Sequence, residues 1–413
     1  YTEFGETNYL RPGDESIVIV YDEQVTSPAQ VRAAVDAGEE QSLSGASVLV
    51  QVVRPSRLAL LRPSGGVVTH ANDFEAELPA GHARPVRARV AQGLLAWDGG
   101  WYRTVAEHGY AAAGREALRF FPLYPLLGRW LGGVPGVGAG VALVVLAEAA
   151  ALGALCLLWL LVRHDAADDA LARRSVWLLA LAPAAYTTVL AYADALLLAA
   201  VIGTFLAVRT GRWWWAAAAG AAAGAVRPLG LLLVVPVAVE VVRTHRSGRR
   251  GRWASQGVAL AAPLAGAAAY LIWVGWRFGS PWLPFTVQVQ AGHRGRLTVP
   301  LAAMWDDAVA AVHGHHLGTA LHLPWVALVA VLVVVAWRRL PASYAAYATV
   351  VVAAALTSAN LDSFERYALG AFPLTVAAAS LLGRRWAWRT VLVASGAVMA
   401  AYATLAFCDL VVP

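Results

Sequence analysis

The sequence predicts an all-α polytopic membrane protein, a bundle of about 10–11 transmembrane helices after a small α/β or partly disordered N-terminal segment. The first observation is composition: of 413 residues, 59% are hydrophobic and 14% are charged, with mean hydropathy +0.57. Soluble domains carry about 25% charged residues, so this balance is typical of a membrane protein. Two further observations are the apolar runs that recur after residue 136 and the arginines that cluster between them.

The N-terminal segment, 1–90, differs from the rest of the chain. It holds 12 of the 26 acidic residues and no apolar run long enough to span a bilayer. The patterns predict strands at 16–21 and 47–53, and a helix at 27–37 that begins at Ser27. No catalytic constellation is visible in this segment, so 91–413 is predicted to be the functional transmembrane domain.

The apolar runs after residue 136 predict the membrane spans. Several runs are shorter than the ~20 residues of an ordinary spanning helix, so some of these helices are expected to be broken or tilted. The predicted spans are 137–162, 176–190, 193–208, 213–225, 229–242, 258–276, 324–337, 342–356, 369–382 and 391–407.

The arginines predict the orientation of these spans. They are dense in the connections near 163–174, 243–253 and 338–340, which are therefore expected to be cytoplasmic. The 97–125 loop and the arginine-poor 277–322 loop are then extracytoplasmic. This orientation requires an earlier crossing, either by a helix before residue 1 or by translocation of the N-terminal segment. No lysine occurs, and because the arginines lie between apolar runs, nucleic-acid binding is not indicated.

Asp98, in the 97–125 loop, is the leading candidate for chemistry. It could be a helix N-cap or turn residue beside Gly99, or a general base. The neighbouring Trp97, Trp101 and Tyr102 suit both a membrane interface and stacking on a sugar ring. The residues expected to contact the sugar or the acceptor are Trp97, Trp101, Tyr102, His108, Tyr124, Tyr192, Asp194 and Tyr367.

Two arginines at predicted outer ends of spans are candidate phosphate ligands. Arg227 precedes Pro228, which breaks the helix, so its guanidinium is expected to line a cavity rather than to snorkel. Arg366 invites the same argument, with a local pair to Glu365 or Asp362 as its alternative. A planar guanidinium fork suits a phosphate group.

Other polar residues carry weaker signals. Asp194 either partners an arginine or is a plain turn residue, and the sequence leaves both readings open. The histidines at 313, 315, 316 and 322 do not have the spacing of a tetrahedral metal site, so a solvated loop and no metal are predicted. Asp306 and Asp307 are a weak candidate for a divalent ion. Cys156 and Cys408 each lie in an apolar run, which excludes a disulfide framework.

Several motifs resemble the PIG-V family, the GPI mannosyltransferases that add the second mannose, together with their bacterial relatives. The resemblance covers about 92–408 and implies a GT-C-type fold. The matching stretches are Trp-Asp-x-x-Trp-Tyr at 97–102, Ala-Glu-His-Gly-Tyr at 106–110, Phe-Phe-Pro-Leu-Tyr-Pro-Leu at 120–126, Tyr-Ala-Asp-Ala-Leu at 192–196, Arg-Pro-Leu-Gly at 227–230, Arg-Tyr at 366–367 and Phe-Pro-Leu at 372–374. At 194 the family has Glu where this chain has Asp.

The resemblance implies an inverting, metal-independent transfer from a polyprenyl-phosphate-sugar donor, with mannose as the expected sugar and no cofactor. Asp98 would be the base, and Arg227 and Arg366 would hold the donor phosphate. A bacterial member would not make GPI anchors, so the acceptor stays open between a lipid-linked glycan and a glycolipid. The alternatives are a lipid or sugar-lipid transporter that uses the same charged residues, and a non-catalytic membrane subunit.

Overall fold

A computed structural model describes residues 18–19, 40–43, 46–51, 92–247, 253–289, 298, 309, 322–357 and 363–408. The chain divides into two compact units, 1–93 and 94–413.

In the first unit, three strands form an antiparallel sheet. The strands are β1 (Val18–Ile19), β2 (Glu40–Leu43) and β3 (Ala46–Gln51), in the order β1-β3-β2. The β1 strand lies inside the predicted strand 16–21, and β3 overlaps the predicted strand 47–53 but begins one residue earlier. The β2 strand was not predicted because its polar sequence, Glu-Gln-Ser-Leu, lacks β-branched and aromatic residues. The predicted helix at 27–37 lies outside the described residues.

The second unit is helical wherever the structure assigns regular elements. Its first helices are α1 (Asp98–His108), α2 (Tyr110–Ala113), α3 (Leu123–Gly132), α4 (Gly138–Ala166), α5 (Asp169–Ala180), α6 (Asp194–Arg209), α7 (Trp213–Val226) and α8 (Val234–Arg246). The later helices are α9 (Trp253–Phe278), α10 (Leu283–Gln288), α11 (Leu323–Arg339), α12 (Ala342–Leu356), α13 (Phe364–Gly370), α14 (Pro373–Leu381) and α15 (Arg385–Phe407). Short 3₁₀ helices lie at Gly93–Leu95, Arg115–Arg119, Ala185–Thr188 and Pro228–Leu233.

Among the described residues, four helices are long and apolar enough to cross a bilayer. They are Gly138–Ala166, Pro228–Arg246, Trp253–Phe278 and Arg385–Phe407, and Ala342–Leu356 is a shorter apolar helix. The prediction of an all-α polytopic membrane protein is therefore confirmed for the described residues of the second unit. Several other predicted spans are helices of ordinary length, such as α6 and α7.

Prolines account for the spans that differ from prediction. The predicted span 176–190 is instead α5, which ends at Ala180 before Pro183, followed by the Ala185–Thr188 3₁₀ helix. The predicted span 369–382 is divided between α13 and α14, because Pro373 cannot continue the preceding helix.

The 97–125 stretch, predicted to be a loop, is mostly helical. It contains α1, α2, the 3₁₀ helix Arg115–Arg119 and the start of α3. Gly109 and Gly114 separate the first three of these at φ 82° and 81°, a conformation that favours glycine. The first part of the predicted 277–322 loop likewise includes the short helix α10.

Close packing of α7 against α9 fixes the position of the Arg227 segment. A Cβ atom at Gly224 would overlap the carbonyl of Pro263, and one at Gly266 would overlap the carbonyl of Ala221. Small residues let helix backbones approach closely in a membrane. Arg227 follows directly after α7, so this contact sets where its side chain begins.

A buried polar network connects four helices, α4, α6, α8 and α12. Arg209 of α6 donates to Asp165 of α4 at 2.9 Å and to Glu240 of α8 at 3.1 Å. In α12, Ser343 donates to Glu240 and Tyr344 donates to Asp165, each at 2.6 Å. Every carboxylate in this network has a donor, as buried charges require.

Candidate functional site

Three segments that are far apart in sequence meet at one guanidinium. The Nη2 atom of Arg366, which is on α13, lies 2.7 Å from Oδ2 of Asp98 and also 2.7 Å from Oδ2 of Asp194. Its Nε donates a second bond to Asp194 Oδ2 at 3.0 Å. Asp98 and Asp194 are the first residues of α1 and α6, where a helix N-terminus favours a carboxylate. Arg366 therefore links the starts of two helices.

A second arginine completes the cluster. Arg227 Nη1 forms an ion pair with Asp194 Oδ1, so Asp194 contacts both arginines, one through each carboxylate oxygen. The Arg227 guanidinium also lies over the Tyr367 ring, 5.5 Å from its centroid. The reading of Asp194 as an arginine partner is thus the correct one, and the plain-turn reading is wrong. We call Asp98, Asp194, Arg227 and Arg366 the charge cluster.

The members of the charge cluster differ in the exposed fraction of their side chains. The Arg366 side chain is 6% exposed and Asp194 is 15% exposed, whereas Asp98 is 25% exposed. The two arginines and the two aspartates balance in formal charge, so the cluster buries no net charge. Asp98 is its most accessible member and has one partner in Arg366, while Asp194 makes three bonds to the arginines.

Asp98 is not a capping residue. Trp97 occupies the N-cap position of α1, with φ 53°, and Asp98 is the first helical residue, with its side chain turned to Arg366. A positive φ is rare for a large side chain and often accompanies a functional site. The N-cap alternative from the sequence is therefore wrong, and Trp97 carries the strain of the turn.

Aromatic rings surround the charge cluster. Tyr192 is fully buried, with its ring 4.3 Å from the Arg366 guanidinium carbon. Tyr102 is also buried and packs edge-on against Phe120 and Tyr124, at centroid distances of 5.0 Å and 4.9 Å. Burial raises the pKa of Tyr102, so its hydroxyl stays a neutral donor at physiological pH.

Three residues predicted to bind sugar or acceptor have other surroundings. Tyr124 is fully buried and its hydroxyl donates to the Leu143 carbonyl at 2.8 Å, which makes it a packing residue. His108 is exposed at the last position of α1, ten residues and about 15 Å along the helix from Asp98. Trp101 is buried and stacks on Phe120 at 6.0 Å. A sugar ring therefore has no direct access to the flat face that Trp101 turns to Phe120.

Trp97 and Tyr367 are half-buried near the charge cluster. Trp97 packs edge-on against Phe407, with ring centroids 5.0 Å apart, and Tyr367 lies under Arg227. Both keep part of their surface accessible, so they remain candidates for contact with a substrate.

A His–Glu pair lies beside the cluster and was not predicted. His322 Nδ1 is 2.8 Å and 2.9 Å from the two carboxylate oxygens of Glu365, and both residues are buried. His322 was expected in a solvated loop, and that expectation is wrong. The proposed local pair between Arg366 and Glu365 is also wrong, because Glu365 turns to His322. In the sequence, the signal that could have indicated this pair is that each of its residues lies at the edge of an apolar helix.

The expected absence of a metal is not decided by the described residues. Within them, no group of three or more His, Cys, Asp or Glu side chains converges as a metal site would. The histidines at 293, 313, 315 and 316, Asp306, Asp307 and Asp362 lie outside the described residues.

Comparisons with known proteins give two similarities. Residues 1–53 match the model of DUF5718, a family of unknown function. No curated protein matches the chain. Among solved structures, the chain is similar to ArnT from Cupriavidus metallidurans, crystallised bound to undecaprenyl phosphate, at 15% identity and a TM-score of 0.48. That alignment covers 79% of this chain and 64% of ArnT, which is less than two thirds of the length of ArnT.

Proposed function

We propose that the chain is a GT-C-type membrane glycosyltransferase, which moves a hexosyl unit from a polyprenyl-phosphate-sugar donor to a lipid-linked glycan or glycolipid. The reaction occurs on the extracytoplasmic face and inverts the anomeric carbon. The observation that carries the proposal is the Arg366 guanidinium, which joins Asp98 to Asp194. Its three residues come from three separate motifs of the PIG-V resemblance, and the fold brings them within hydrogen-bond distance.

The two arginines suit the donor phosphate. An inverting transfer breaks the bond between C1 and the phosphate oxygen, and negative charge builds on the leaving phosphate. Guanidinium groups stabilise this charge best in a site that is shielded from water, and the Arg366 and Arg227 side chains are 6% and 14% exposed. Among the described residues, Arg227 forms an ion pair with Asp194 through Nη1, which leaves other N–H groups of the guanidinium to donate to a phosphate.

Asp98 suits the role of base once the phosphate has bound. In the free protein it is paired with Arg366, and it is both the most exposed member of the charge cluster and a single-contact partner. A donor phosphate on Arg366 competes with Asp98 for Nη2, while Asp194 keeps Arg366 in position through its other bonds. Donor binding therefore frees Asp98 for the acceptor.

The chemical step needs one base and no covalent intermediate. The acceptor hydroxyl gives its proton to an Asp98 carboxylate oxygen, and the hydroxyl oxygen attacks C1 from the face opposite the phosphate. The C1–O bond breaks, and its electron pair leaves with the polyprenyl phosphate. Trp97 and Tyr367 are the aromatic side chains best placed to contact the sugar. Mannose is proposed from the PIG-V resemblance alone.

The test is release of polyprenyl phosphate from labelled polyprenyl-phosphate-mannose by the purified full chain in nanodiscs made from a membrane lipid extract that supplies the acceptor, with polyprenyl-phosphate-glucose as the second donor. Wild-type protein should cleave one donor, and Asp98→Asn should lose roughly 10²–10⁴-fold in rate. Asp169→Asn is the control, because Asp169 is an exposed carboxylate paired with Arg163. Movement of intact donor across a vesicle membrane, equal in wild type and Asp98→Asn and without bond cleavage, would favour the transporter alternative.

A further inference from the structure

The buried His322–Glu365 pair takes no part in the proposed transfer. Its side chains are 4% and 7% exposed, and His322 Nδ1 lies at 2.8 Å and 2.9 Å from the two Glu365 oxygens. A carboxylate buried to this degree is costly unless it is bonded, so the pair needs a structural or functional reason.

The pair is part of a longer chain of hydrogen bonds. The Tyr402 hydroxyl lies 3.4 Å from Glu365 Oε1, and Trp325 Nε1 donates to the same hydroxyl at 2.7 Å. Trp325 is on α11, Tyr402 on α15 and Glu365 on α13, while His322 is the N-cap residue of α11. Glu365 thus connects the start of α13 to two longer helices.

Helix α13 needs such anchors because it is short. It spans seven residues, Phe364–Gly370, and begins after Ser363 at φ 60°. A helix of two turns is not stable by itself, so its orientation comes from tertiary contacts. Glu365 and Arg366 are consecutive, and consecutive helical side chains point about 100° apart. Glu365 therefore fixes one side of α13 while Arg366 faces Asp98 and Asp194.

We propose that Glu365 and His322 are positioning residues, which hold α13 so that the Arg366 guanidinium stays aligned with the donor phosphate and with Asp98. This inference rests on the proposed function. Small displacements of a charged group that contacts the reacting centre have large effects on rate, up to about 100-fold for 1 Å.

A double-mutant cycle between positions 365 and 366 tests the proposal, with kcat/KM for the donor as the readout. Glu365→Ala should lower kcat/KM roughly 10–100-fold in wild type. In an Arg366→Lys background, which already lacks the guanidinium fork, the same change should cost no more than about threefold. Glu240→Gln is the control, because Glu240 is an equally buried carboxylate in the Arg209 network. Its effect on kcat/KM should be independent of Arg366→Lys, so the two fold-changes should multiply.

Conservative variants separate positioning from chemistry. Glu365→Gln keeps the side-chain length and a hydrogen bond to the imidazole, and His322→Asn places an amide nitrogen near Nδ1. Both should retain at least about half of wild-type kcat. A Glu365→Gln variant as slow as Glu365→Ala would assign chemistry to the carboxylate and overturn the proposal. Additive effects of the two changes in the cycle would also overturn it, because they would show that positions 365 and 366 are not coupled.

Two safeguards keep the result readable. If Glu365→Ala does not fold, His322→Ala enters the same cycle in its place, and the conservative pair still decides between the outcomes. The wild-type rate tests the proposed function separately. If wild type is inactive, the cycle is repeated with the Kd of undecaprenyl phosphate: coupling between 365 and 366 then supports the positioning role, and independence overturns it.

Discussion

Arg366 and Asp98 form a 2.7 Å ion pair between Nη2 and Oδ2, although 268 residues separate them in the chain. The candidate phosphate ligand, Arg366, and the candidate base, Asp98, are therefore bonded to each other in the free protein. In the proposed mechanism, the phosphate of the sugar donor and the Asp98 carboxylate compete for the same Arg366 nitrogen. Binding of the sugar donor and release of the Asp98 carboxylate would then be a single event.

Removal of the Asp98 charge should tighten binding of the phosphate ligand. Asp98→Asn takes a competing carboxylate from Arg366, while Asp194 still holds the guanidinium through Nε and Nη2. We expect the Kd of undecaprenyl phosphate to fall by about threefold to tenfold, a change of roughly 1 kcal/mol. Isothermal titration of nanodisc-embedded protein measures it, with Asp169→Asn as the matched surface change. Weaker binding by Asp98→Asn would contradict the competition.

The two arginines should differ in their effect on stability. Arg366→Ala leaves Asp98 unpaired and leaves Asp194 with Arg227 alone, and breaking such a buried pair costs about 3–5 kcal/mol. Arg227→Ala leaves Asp194 still bonded to Arg366, so its cost should be clearly smaller. The Tm of each variant in the same detergent measures the order.

A double variant provides the control for that comparison. Asp98→Asn added to Arg366→Ala removes the carboxylate charge that Arg366→Ala leaves unpaired, and it should recover part of the lost Tm. If Arg227→Ala proved the more destabilising change, Arg366 would not be the bridging residue of the charge cluster.

The Arg209 network should affect stability without affecting chemistry. Tyr344→Phe removes the 2.6 Å bond to Asp165, and a hydrogen bond to a charged group contributes about 1.5–3 kcal/mol. We expect a lower Tm and an unchanged kcat per folded molecule. Thr349→Val is a suitable control, because Thr349 lies on the same helix and bonds an exposed Trp337. A large loss of kcat in Tyr344→Phe would show that this network communicates with the charge cluster.

The orientation of the helices gives a labelling prediction. Arginine asymmetry predicts that the connection after α8 is cytoplasmic and that the end of α1 is outside. After replacement of the exposed Cys156 and Cys408 by alanine, single cysteines at His108 and Ser247 report the two sides. A membrane-impermeant maleimide should label His108→Cys in intact cells and Ser247→Cys only after permeabilisation. Labelling of both from one side would reject the orientation.

The turn between α4 and α5 should contribute a small acid-sensitive stabilisation. The backbone N–H groups of Leu171 and Ala170 donate to Asp168, and the Leu171 bond is the larger cause that lowers the pKa of its carboxyl. A carboxyl with a lowered pKa in the folded state stabilises above its ordinary value of 3.8, and this contribution is lost as the pH falls through the folded value. Asp168→Ser keeps a capping oxygen that does not titrate. Its Tm should therefore fall less steeply in acid than that of wild type.

The sequence by itself determined the helical membrane character and many helix positions. The α12 helix, Ala342–Leu356, has the predicted bounds, while α6 begins and ends one residue later than predicted and α7 ends one residue later. Helix formation and membrane length depend on the composition of a local window, which a sequence displays directly. The motifs that hold Asp98, Arg227 and Arg366 were also readable, because polar residues at the edges of apolar runs are costly and stand out.

Only the tertiary structure decided which charges meet. Arg366 could have paired with Glu365 beside it, and instead it bonds Asp98 and Asp194, while Glu365 bonds His322. The helices of 97–125 also required the fold, since consecutive glycines at the start of α1 lower its intrinsic helix propensity. Partner choice depends on distances between segments that are hundreds of residues apart. Local propensity contains no information about those distances, and packing of the helices supplies it.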